Sequence, residues 1–418
     1  MLGGHIYIMI KPRLHELVIC RHLLEDDAVH IFLESFCAPT PEGLQYDFAA
    51  RLIAKAEEIG LSGNLLRAYF IHLLAHDGNI AAQITEMSNG GIGSSLRHVF
   101  IHDMDILSAV LQNAPSTMLG TDILDDYTPT CTGTNEAASY LAALMDKAHS
   151  PEEIADALLT YYRRYGYGDI ASYRAFRWDK KKHLTGIRHF EAMQLTDIIG
   201  YEEQKKQLTD NTMAFVKDKP ANNVLLVGSR GTGKSSAVKA LANEYYGNGL
   251  RLLQLTKPQL TELPKIMENL RKFASKKFII FLDDLSFEEF ETEYKYLKSA
   301  IEGGVEARPK NVLIYATSNR RHLIKETWRD REDGQDELYA KDSMNETISL
   351  SDRFGLIINY RSPNQDEYLA IIDHYLRQEG ICLEKEELRV LGHRWELEHS
   401  GRSGRTARQF VNYYLGQR

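Results

Sequence analysis

The chain has 418 residues, of which 43% are hydrophobic and 26% charged, an ordinary composition for a globular protein of about two to three domains. Its formal net charge of -8 excludes a protein that binds polyanions over its whole surface, so any contact with nucleic acid must come from a local patch. The four cysteines form no C-x-x-C pair and no apolar run is long enough for a membrane span, so we expect a cytoplasmic protein without a zinc ribbon or a disulfide framework.

The first part of the chain has the pattern of helices, with apolar residues at spacings of three and four over about residues 12–165. Ser150, Pro151 and Glu153 form a strong helix start, because a capping serine, a first-turn proline and a reciprocal glutamate suit the free amides of a first turn. We therefore expect an all-α N-terminal domain over residues 1–160.

Residues 161–188 combine positive charge with aromatic rings, since eight basic and two acidic residues alternate with seven aromatic residues. Arginine and lysine beside exposed rings are typical of a surface that binds single-stranded nucleic acid. The alternative is a linker over residues 161–190 that packs its rings on the next domain and keeps its charges in solvent. The sequence leaves both interpretations open.

From residue 224 onward, short apolar runs alternate with helical patterns. This alternation predicts a parallel sheet covered by helices on both faces. The predicted strands lie at residues 224–227, 250–255, 278–282, 312–316 and 356–360.

A phosphate-binding loop follows the first of these strands. Residues 228–235 read Gly-Ser-Arg-Gly-Thr-Gly-Lys-Ser, between a predicted strand and a predicted helix. Its glycines let backbone N–H groups turn inward around an anion at the helix N-terminus. Lys234 can reach the β- and γ-phosphates, and the Ser235 hydroxyl can ligate Mg²⁺. The motif predicts a nucleoside triphosphate site formed by Gly228, Ser229, Arg230, Gly231, Thr232, Gly233, Lys234, Ser235 and Ser236.

The third predicted strand ends in two acids, Asp283 and Asp284. In P-loop enzymes such a strand lies beside the phosphate loop, and its acid holds Mg²⁺. Asp283 is suited to hold Mg²⁺ through a bridging water, because Mg²⁺ keeps several waters when it is bound. Asp284 is the candidate to orient or deprotonate the attacking water.

Two more polar side chains follow in the chain. The fourth strand leads into Thr-Ser-Asn-Arg at 317–320, where we expect Asn319 to contact the γ-phosphate or the water. Arg353 precedes the fifth strand, where an arginine either forms a structural ion pair or reaches the γ-phosphate of a neighbouring subunit. The acidic segment 325–346 between them predicts an inserted loop.

After Pro363 the pattern returns to helices, which predicts a small helical C-terminal domain over residues 363–418. Its last helix begins at Gly-Arg-Ser-Gly-Arg-Thr-Ala-Arg, residues 401–408. Arg405 and Arg408 therefore lie in the first turns of that helix.

Together and in this order, the elements from about residue 190 to 418 resemble the AAA+ ATPases. The resemblance implies a P-loop α/β core at 191–362, with a five-stranded parallel sheet in the order 5-1-4-3-2 and a helical lid after it. Residues 195–200 resemble the segment that packs on adenine in that family, which implies base contacts from Ile198 and Ile199.

The resemblance also implies roles for the remaining site residues. It makes Asn319 the first sensor, Arg353 the arginine that acts in trans, and Arg405 the second sensor with Arg408 as its alternative. The implied cofactors are ATP and Mg²⁺, and the implied assembly is a homo-oligomeric ring or open ring. The catalytic residues would be Lys234, Asp284, Asn319, Arg353 and Arg405, and the metal residues Ser235 and Asp283.

A closer resemblance is to a bacterial AAA+ family catalogued only as an ATP-binding domain of unknown function. It is carried by residues 174–178, 221–226, 281–288 and 316–323. It implies the fold and the nucleotide, and it implies no physiological substrate.

Two departures from common AAA+ motors bear on function. Most of those motors end the acid strand in Asp-Glu, whereas this chain has Asp283-Asp284, which allows slow hydrolysis or none. The segment 256–259 lacks the aromatic-apolar-glycine tip of protein-threading unfoldases, which favours a clamp-loader-like or initiator-like remodeller.

The leading hypothesis is an oligomeric Mg²⁺-dependent ATPase that remodels a protein or nucleic-acid partner recognised by the N-terminal domain. One alternative is an ATP-dependent conformational switch or scaffold with little or no turnover. Another is a DNA-associated loader, supported only by residues 161–188.

Overall fold

The computed structural model describes residues 11–37, 43–130, 135–287, 291–302, 308–319, 323, 350–399 and 401–417. The predicted insertion at 325–346 and Arg320 lie outside these residues. The chain divides into two compact units, one formed by Met1–Tyr173 with Lys272–Lys276 and the other by Arg174–Arg271 with Lys277–Arg418. The boundary therefore falls at residue 173, inside the segment predicted as a linker. No helix in the described parts is long and apolar enough to cross a membrane.

The first unit is helical. Polar side chains cap the starts of α1, α3, α4, α7 and α8. The predicted capping box is present, with Ser150 accepting from the Glu153 backbone N–H at 3.2 Å. The helices are α1 (Asp27–Glu34), α2 (Leu44–Ile59), α3 (Leu65–His76), α4 (Ile80–Met87), α5 (Ser94–Gln112), α6 (Pro115–Leu119), α7 (Glu136–Met145), α8 (Pro151–Tyr165) and α9 (Gly168–Ser172).

A buried ion pair lies inside this unit. Lys276 Nζ is 3.0 Å from Glu86 Oε1, and the two side chains are 0% and 1% exposed. The ammonium also donates to the carbonyls of Tyr162 and Arg163, at 3.1 and 2.8 Å. These additional bonds are what a buried charge needs, because both ions have lost their contact with water.

The second unit is a sheet with helices, followed by three C-terminal helices in the region predicted as a lid. Its sheet contains all five predicted strands. The strands are β1 (Ala175–Asp179), β2 (His183–Gly186), β3 (Val224–Gly228), β4 (Leu250–Leu255), β5 (Lys277–Leu282), β6 (Val312–Ser318) and β7 (Leu356–Tyr360), and the helices are α10 (Glu202–Val216), α11 (Lys234–Glu244), α12 (Leu263–Arg271), α13 (Glu293–Glu302), α14 (Gln365–Gln378), α15 (Lys385–Glu398) and α16 (Gly404–Gly416).

The sheet has seven strands in the order β2-β1-β4-β5-β6-β3-β7. Strands β3 to β7 are parallel to their neighbours, β1 pairs with β4 in parallel, and β2 pairs with β1 in antiparallel. The prediction of five strands was therefore too low by two. The alternation of apolar and polar residues that is typical of a strand was present in β1, where Phe176 and Trp178 are buried and Arg177 is exposed. The basic composition of the segment nevertheless favoured a linker.

The parallel strands bring the predicted site residues to one edge. Residues that follow β3, β5 and β6 lie beyond the carboxyl ends of adjacent strands, where ligands bind in open α/β sheets. The lid helices α14 to α16 have their own apolar core, which includes Tyr368, Ile372 and Phe410. The site therefore lies between the sheet edge and the lid of one unit.

Candidate active site

The phosphate loop is fixed by its backbone. Gly228, Gly231 and Gly233 have φ values of 141°, 75° and 86°. A Cβ atom at Gly228 would lie 1.8 Å from the carbonyl oxygen of Tyr360 on the neighbouring strand, so only glycine fits there. Gly233 is the N-cap of α11, and the free N–H groups of that helix therefore begin at the loop.

Lys234 is held inside the loop. Its side chain donates to the carbonyls of Gly228 and Ser229 at 2.8 and 2.6 Å, and Nζ lies 3.4 Å from Asn319 Oδ1. Burial lowers the pKa of the ammonium, and the nearby carboxylates of Asp284 and Asp283 oppose that shift. The lysine is therefore a buried residue that lines the cavity beside both acids.

The predicted metal residues contact each other. The Ser235 hydroxyl donates to Asp283 Oδ1, and the Thr317 hydroxyl donates to the same oxygen at 2.7 Å. A hydroxyl and a carboxylate are the hard oxygen ligands that Mg²⁺ prefers, so the two residues fit this ion. No group of three or more His, Cys, Asp or Glu residues able to hold a metal occurs among the described residues.

Asp284 has an unusual backbone conformation. Its φ of 52° lies in the left-handed region, and its N–H donates to Thr317 Oγ1 at 2.9 Å. The Asn319 amide donates to the Asp284 carboxylate. The structure thus places the predicted first sensor against the predicted base. Thr317 was not among the predicted residues, because its contact with both acids depends on the pairing of β5 with β6.

Ile198 and Ile199, which were predicted to contact the base, line the cavity. Further apolar and aromatic residues that were not predicted also line it. Tyr375 and Ile371 come from α14 of the lid, where their helical spacing is typical of ordinary core residues. Met193 and Tyr201 line the cavity as well.

Arg405 lines the same cavity, which has a volume of about 630 Å³ and is also lined by Lys234, Ser235, Asp283 and Asp284. Arg408, the alternative second sensor, lies over the ring of Tyr375, 4.8 Å from its centroid, and does not line the cavity. The geometry therefore favours Arg405 over Arg408 at the phosphates. Arg230 also lines the cavity.

Arg353 lies away from this cavity. The register pairs Val224 with Leu356 and Gly228 with Tyr360, so β7 begins at the sheet edge opposite the phosphate loop. Arg353 precedes that start and forms an ion pair with Glu302 at the end of α13. Within one chain it therefore does not line the site.

Five of the seven rings in segment 161–188 are buried, and Tyr167 and Tyr173 are partly exposed. Tyr161, Tyr162 and Tyr165 are buried in α8, and Phe176 and Trp178 are buried in β1. Base stacking needs exposed rings, so that part of the nucleic-acid interpretation loses its support. The basic residues Arg177, Lys180, Lys181, Lys182 and Arg188 are exposed.

Fold and site together define a P-loop protein of the AAA+ ATPase superfamily, which confirms the resemblance found in the sequence. The chain belongs to the family described as "Protein of unknown function (DUF815)", whose model matches residues 171–418, more than half of the chain.

Two curated relatives are similar over part of the chain. The replication factor C small subunit of Natronomonas pharaonis is 27% identical over 106 residues, 23% of this chain and 31% of that protein. The replication factor C large subunit of Staphylothermus marinus is 26% identical over 111 residues, 25% of this chain and 26% of that protein. The chain thus spans less than a third of the length of either relative.

Among solved structures, the RuvB Holliday junction branch migration motor of Thermotoga maritima is similar in fold at 17% identity and a TM-score of 0.37. The similarity covers 52% of this chain and 63% of that one.

Proposed function

We propose that the protein is an oligomeric, Mg²⁺-dependent ATPase that couples ATP binding and hydrolysis to the remodelling of a protein or nucleic-acid partner. The observation that carries this proposal is the convergence of Lys234, Ser235, Asp283, Asp284 and Arg405 on one cavity between the core and the lid. A cation, a metal-binding pair, an acid and an arginine are the groups that phosphoryl transfer requires.

Each residue has a distinct part in this chemistry. The loop amides and Lys234 bind the β- and γ-phosphates, and Ser235 and Asp283 hold the metal site. Bound Mg²⁺ would neutralise charge on the phosphates. Asp284 orients the attacking water and accepts its proton, and Arg405 brings positive charge from the lid to the transferring group.

The proposal requires a second subunit, because Arg353 lies outside the cavity of its own chain. In an oligomer, Arg353 would reach the γ-phosphate bound by a neighbour, where an arginine finger contributes about 10³–10⁵ in rate. The helical first unit would bind the partner.

The direct test measures ATP turnover over a series of protein concentrations, together with the mass of the protein in ATP and in ADP. We expect turnover to rise more steeply than concentration and the mass to increase with ATP. Lys234→Ala should abolish ATP binding, whereas Lys206→Ala, which removes an exposed lysine paired with Asp210, should not. A monomer that binds ATP tightly without turnover contradicts the motor.

That outcome would support the second candidate, a nucleotide switch without required hydrolysis. The observation in its favour is the bond from Asn319 to the Asp284 carboxylate, which occupies the proposed base. A switch predicts that partner affinity depends on the bound nucleotide in a variant that cannot hydrolyse it.

The third candidate is a DNA-associated loader. It is supported by the similarity to replication factor C subunits and by the exposed basic residues at the β1–β2 turn. Binding of single-stranded DNA should then weaken steeply with salt, because phosphate contacts release counterions. A salt dependence near zero contradicts this candidate.

A further inference from the structure

Thr317 bonds to three consecutive residues at the end of β5. It lies near the end of β6, and the residue is almost completely buried, at 2% exposure. Its hydroxyl donates to Asp283 Oδ1 at 2.7 Å and accepts from the Asp284 N–H at 2.9 Å. Its carbonyl accepts from the Leu285 N–H at 2.7 Å. One threonine therefore fixes the turn that carries both acids.

The first consequence concerns Asp283. Both Ser235 and Thr317 donate to its Oδ1, so this oxygen is held from two sides. Oδ2 would then be the oxygen that holds a water of a bound metal. Hydrogen bonds from a second layer of residues commonly set metal affinity in this way.

The second consequence concerns Asp284. A left-handed backbone is costly for most residues and is tolerated by aspartate because its side chain is short and polar. Such conformations persist only where the surrounding structure fixes them. The bonds from Thr317 to the N–H groups of Asp284 and Leu285 are the constraints present here. These two bonds determine the direction of the Asp284 side chain, which is shorter than the glutamate that most AAA+ motors have at this position.

We infer that Thr317 is a positioning residue that orients Asp283 toward the metal and fixes the left-handed turn that directs Asp284 toward the water. This inference rests on the proposed function, since it takes the two acids as the metal and water residues. It also explains how an Asp-Asp pair could fill the metal and water roles for which other AAA+ proteins have Asp-Glu.

The test compares three variants. Thr317→Val removes the hydroxyl at nearly constant volume, and Thr317→Ser keeps the hydroxyl. Thr212→Val is the matched control, because Thr212 is also fully buried and bonds to Tyr315 on the same strand at 2.8 Å without contacting either acid. If Thr317→Val does not fold, Thr317→Ala replaces it.

The main readout is the Mn²⁺ affinity of the protein–ADP complex, measured by the electron paramagnetic resonance of free Mn²⁺ and corrected for binding by ADP alone. We expect Thr317→Val to weaken Mn²⁺ binding about 10–100-fold. ADP affinity without metal should stay unchanged, and Thr317→Ser and Thr212→Val should match the wild type. Unchanged Mn²⁺ affinity in Thr317→Val overturns the inference, as does an equal loss in Thr317→Ser or in Thr212→Val.

ATP turnover is measured in parallel, and Thr317→Val should lower kcat with little change in KM. If the wild-type protein shows no turnover, the proposed ATPase function fails, while the Mn²⁺ titration still decides the role of Thr317. If the wild type turns over ATP and Thr317→Val keeps its Mn²⁺ affinity, only the positioning role fails.

Discussion

At the residue scale, Asp284 is the side chain on which turnover depends in the proposed mechanism. Asp284 lines the cavity, and its carboxylate accepts a hydrogen bond from the Asn319 amide. Its backbone has a left-handed conformation. Water is a poor nucleophile unless a base takes its proton, so the charge on Asp284 should matter more than its shape.

We therefore predict that Asp284→Asn lowers ATP turnover by about 10²–10⁴-fold and leaves ATP affinity unchanged. Asparagine tolerates the left-handed backbone as well as aspartate does, so the variant removes the charge and keeps the turn. The measurement is phosphate release at saturating ATP, with nucleotide affinity determined separately. Asp179→Asn, which alters an exposed acid at the end of β1, is the control. Full turnover in Asp284→Asn would exclude this residue as the base.

At the scale of elements, the phosphate loop depends on close contact between two strands. Gly228 ends β3 directly beside Tyr360 of β7, with no room for a side chain. The loop geometry is therefore set jointly by the glycine pattern and by the pairing of strands that are distant in sequence.

We predict that Gly228→Ala lowers the free energy of unfolding by about 3 kcal/mol or more, because both the backbone conformation and the contact with β7 oppose a Cβ atom. Gly380→Ala is the matched control, since Gly380 also has a positive φ of 73° but nothing lies within 4 Å of its added Cβ. Gly380→Ala should lower the free energy of unfolding by only about 1–2 kcal/mol. The two values come from denaturant unfolding, and equal losses would show that the contact with Tyr360 adds nothing.

The buried pair of Glu86 and Lys276 gives a second prediction at this scale. Lys276→Met should lower the free energy of unfolding by about 3–5 kcal/mol, because it leaves the Glu86 carboxylate buried without its partner. The double variant Glu86→Gln with Lys276→Met should lose less, since no uncompensated charge remains. Lys206→Met, in an exposed pair, should leave the unfolding midpoint unchanged. A double variant that is less stable than Lys276→Met would contradict the account.

The sequence was sufficient for features that depend on local pattern. The five predicted strands, the loop at 228–235 and the capping box at Ser150 are all present, because alternating apolar runs, glycine spacing and helix starts are local signals. It was insufficient where strand pairing decides the contact. Thr317 meets Asp283 only because β5 and β6 are adjacent, and Tyr375 reaches the cavity only because the lid folds over it.

At the scale of the whole molecule, the position of Arg353 decides whether the protein works alone. Its ion pair with Glu302 lies at the sheet edge opposite the phosphate loop, so Arg353 does not line the cavity of its own chain. A heterologous contact between identical subunits, repeated around a ring, would place each Arg353 near the nucleotide of its neighbour.

This arrangement predicts that two inactive variants restore activity when they are mixed. Lys234→Ala cannot bind ATP but keeps Arg353, and Arg353→Ala binds ATP but lacks the arginine. With random mixing in a ring, roughly a quarter of the interfaces would join an intact loop to an intact arginine, so turnover should recover to about a quarter of wild type. The readout is phosphate release by the equimolar mixture compared with each variant alone. Arg353→Ala mixed with the double variant Lys234→Ala/Arg353→Ala is the control and should stay inactive, because neither chain supplies the arginine. If mixed oligomers form and the first mixture is also inactive, Arg353 does not act across the interface, and its pair with Glu302 is structural.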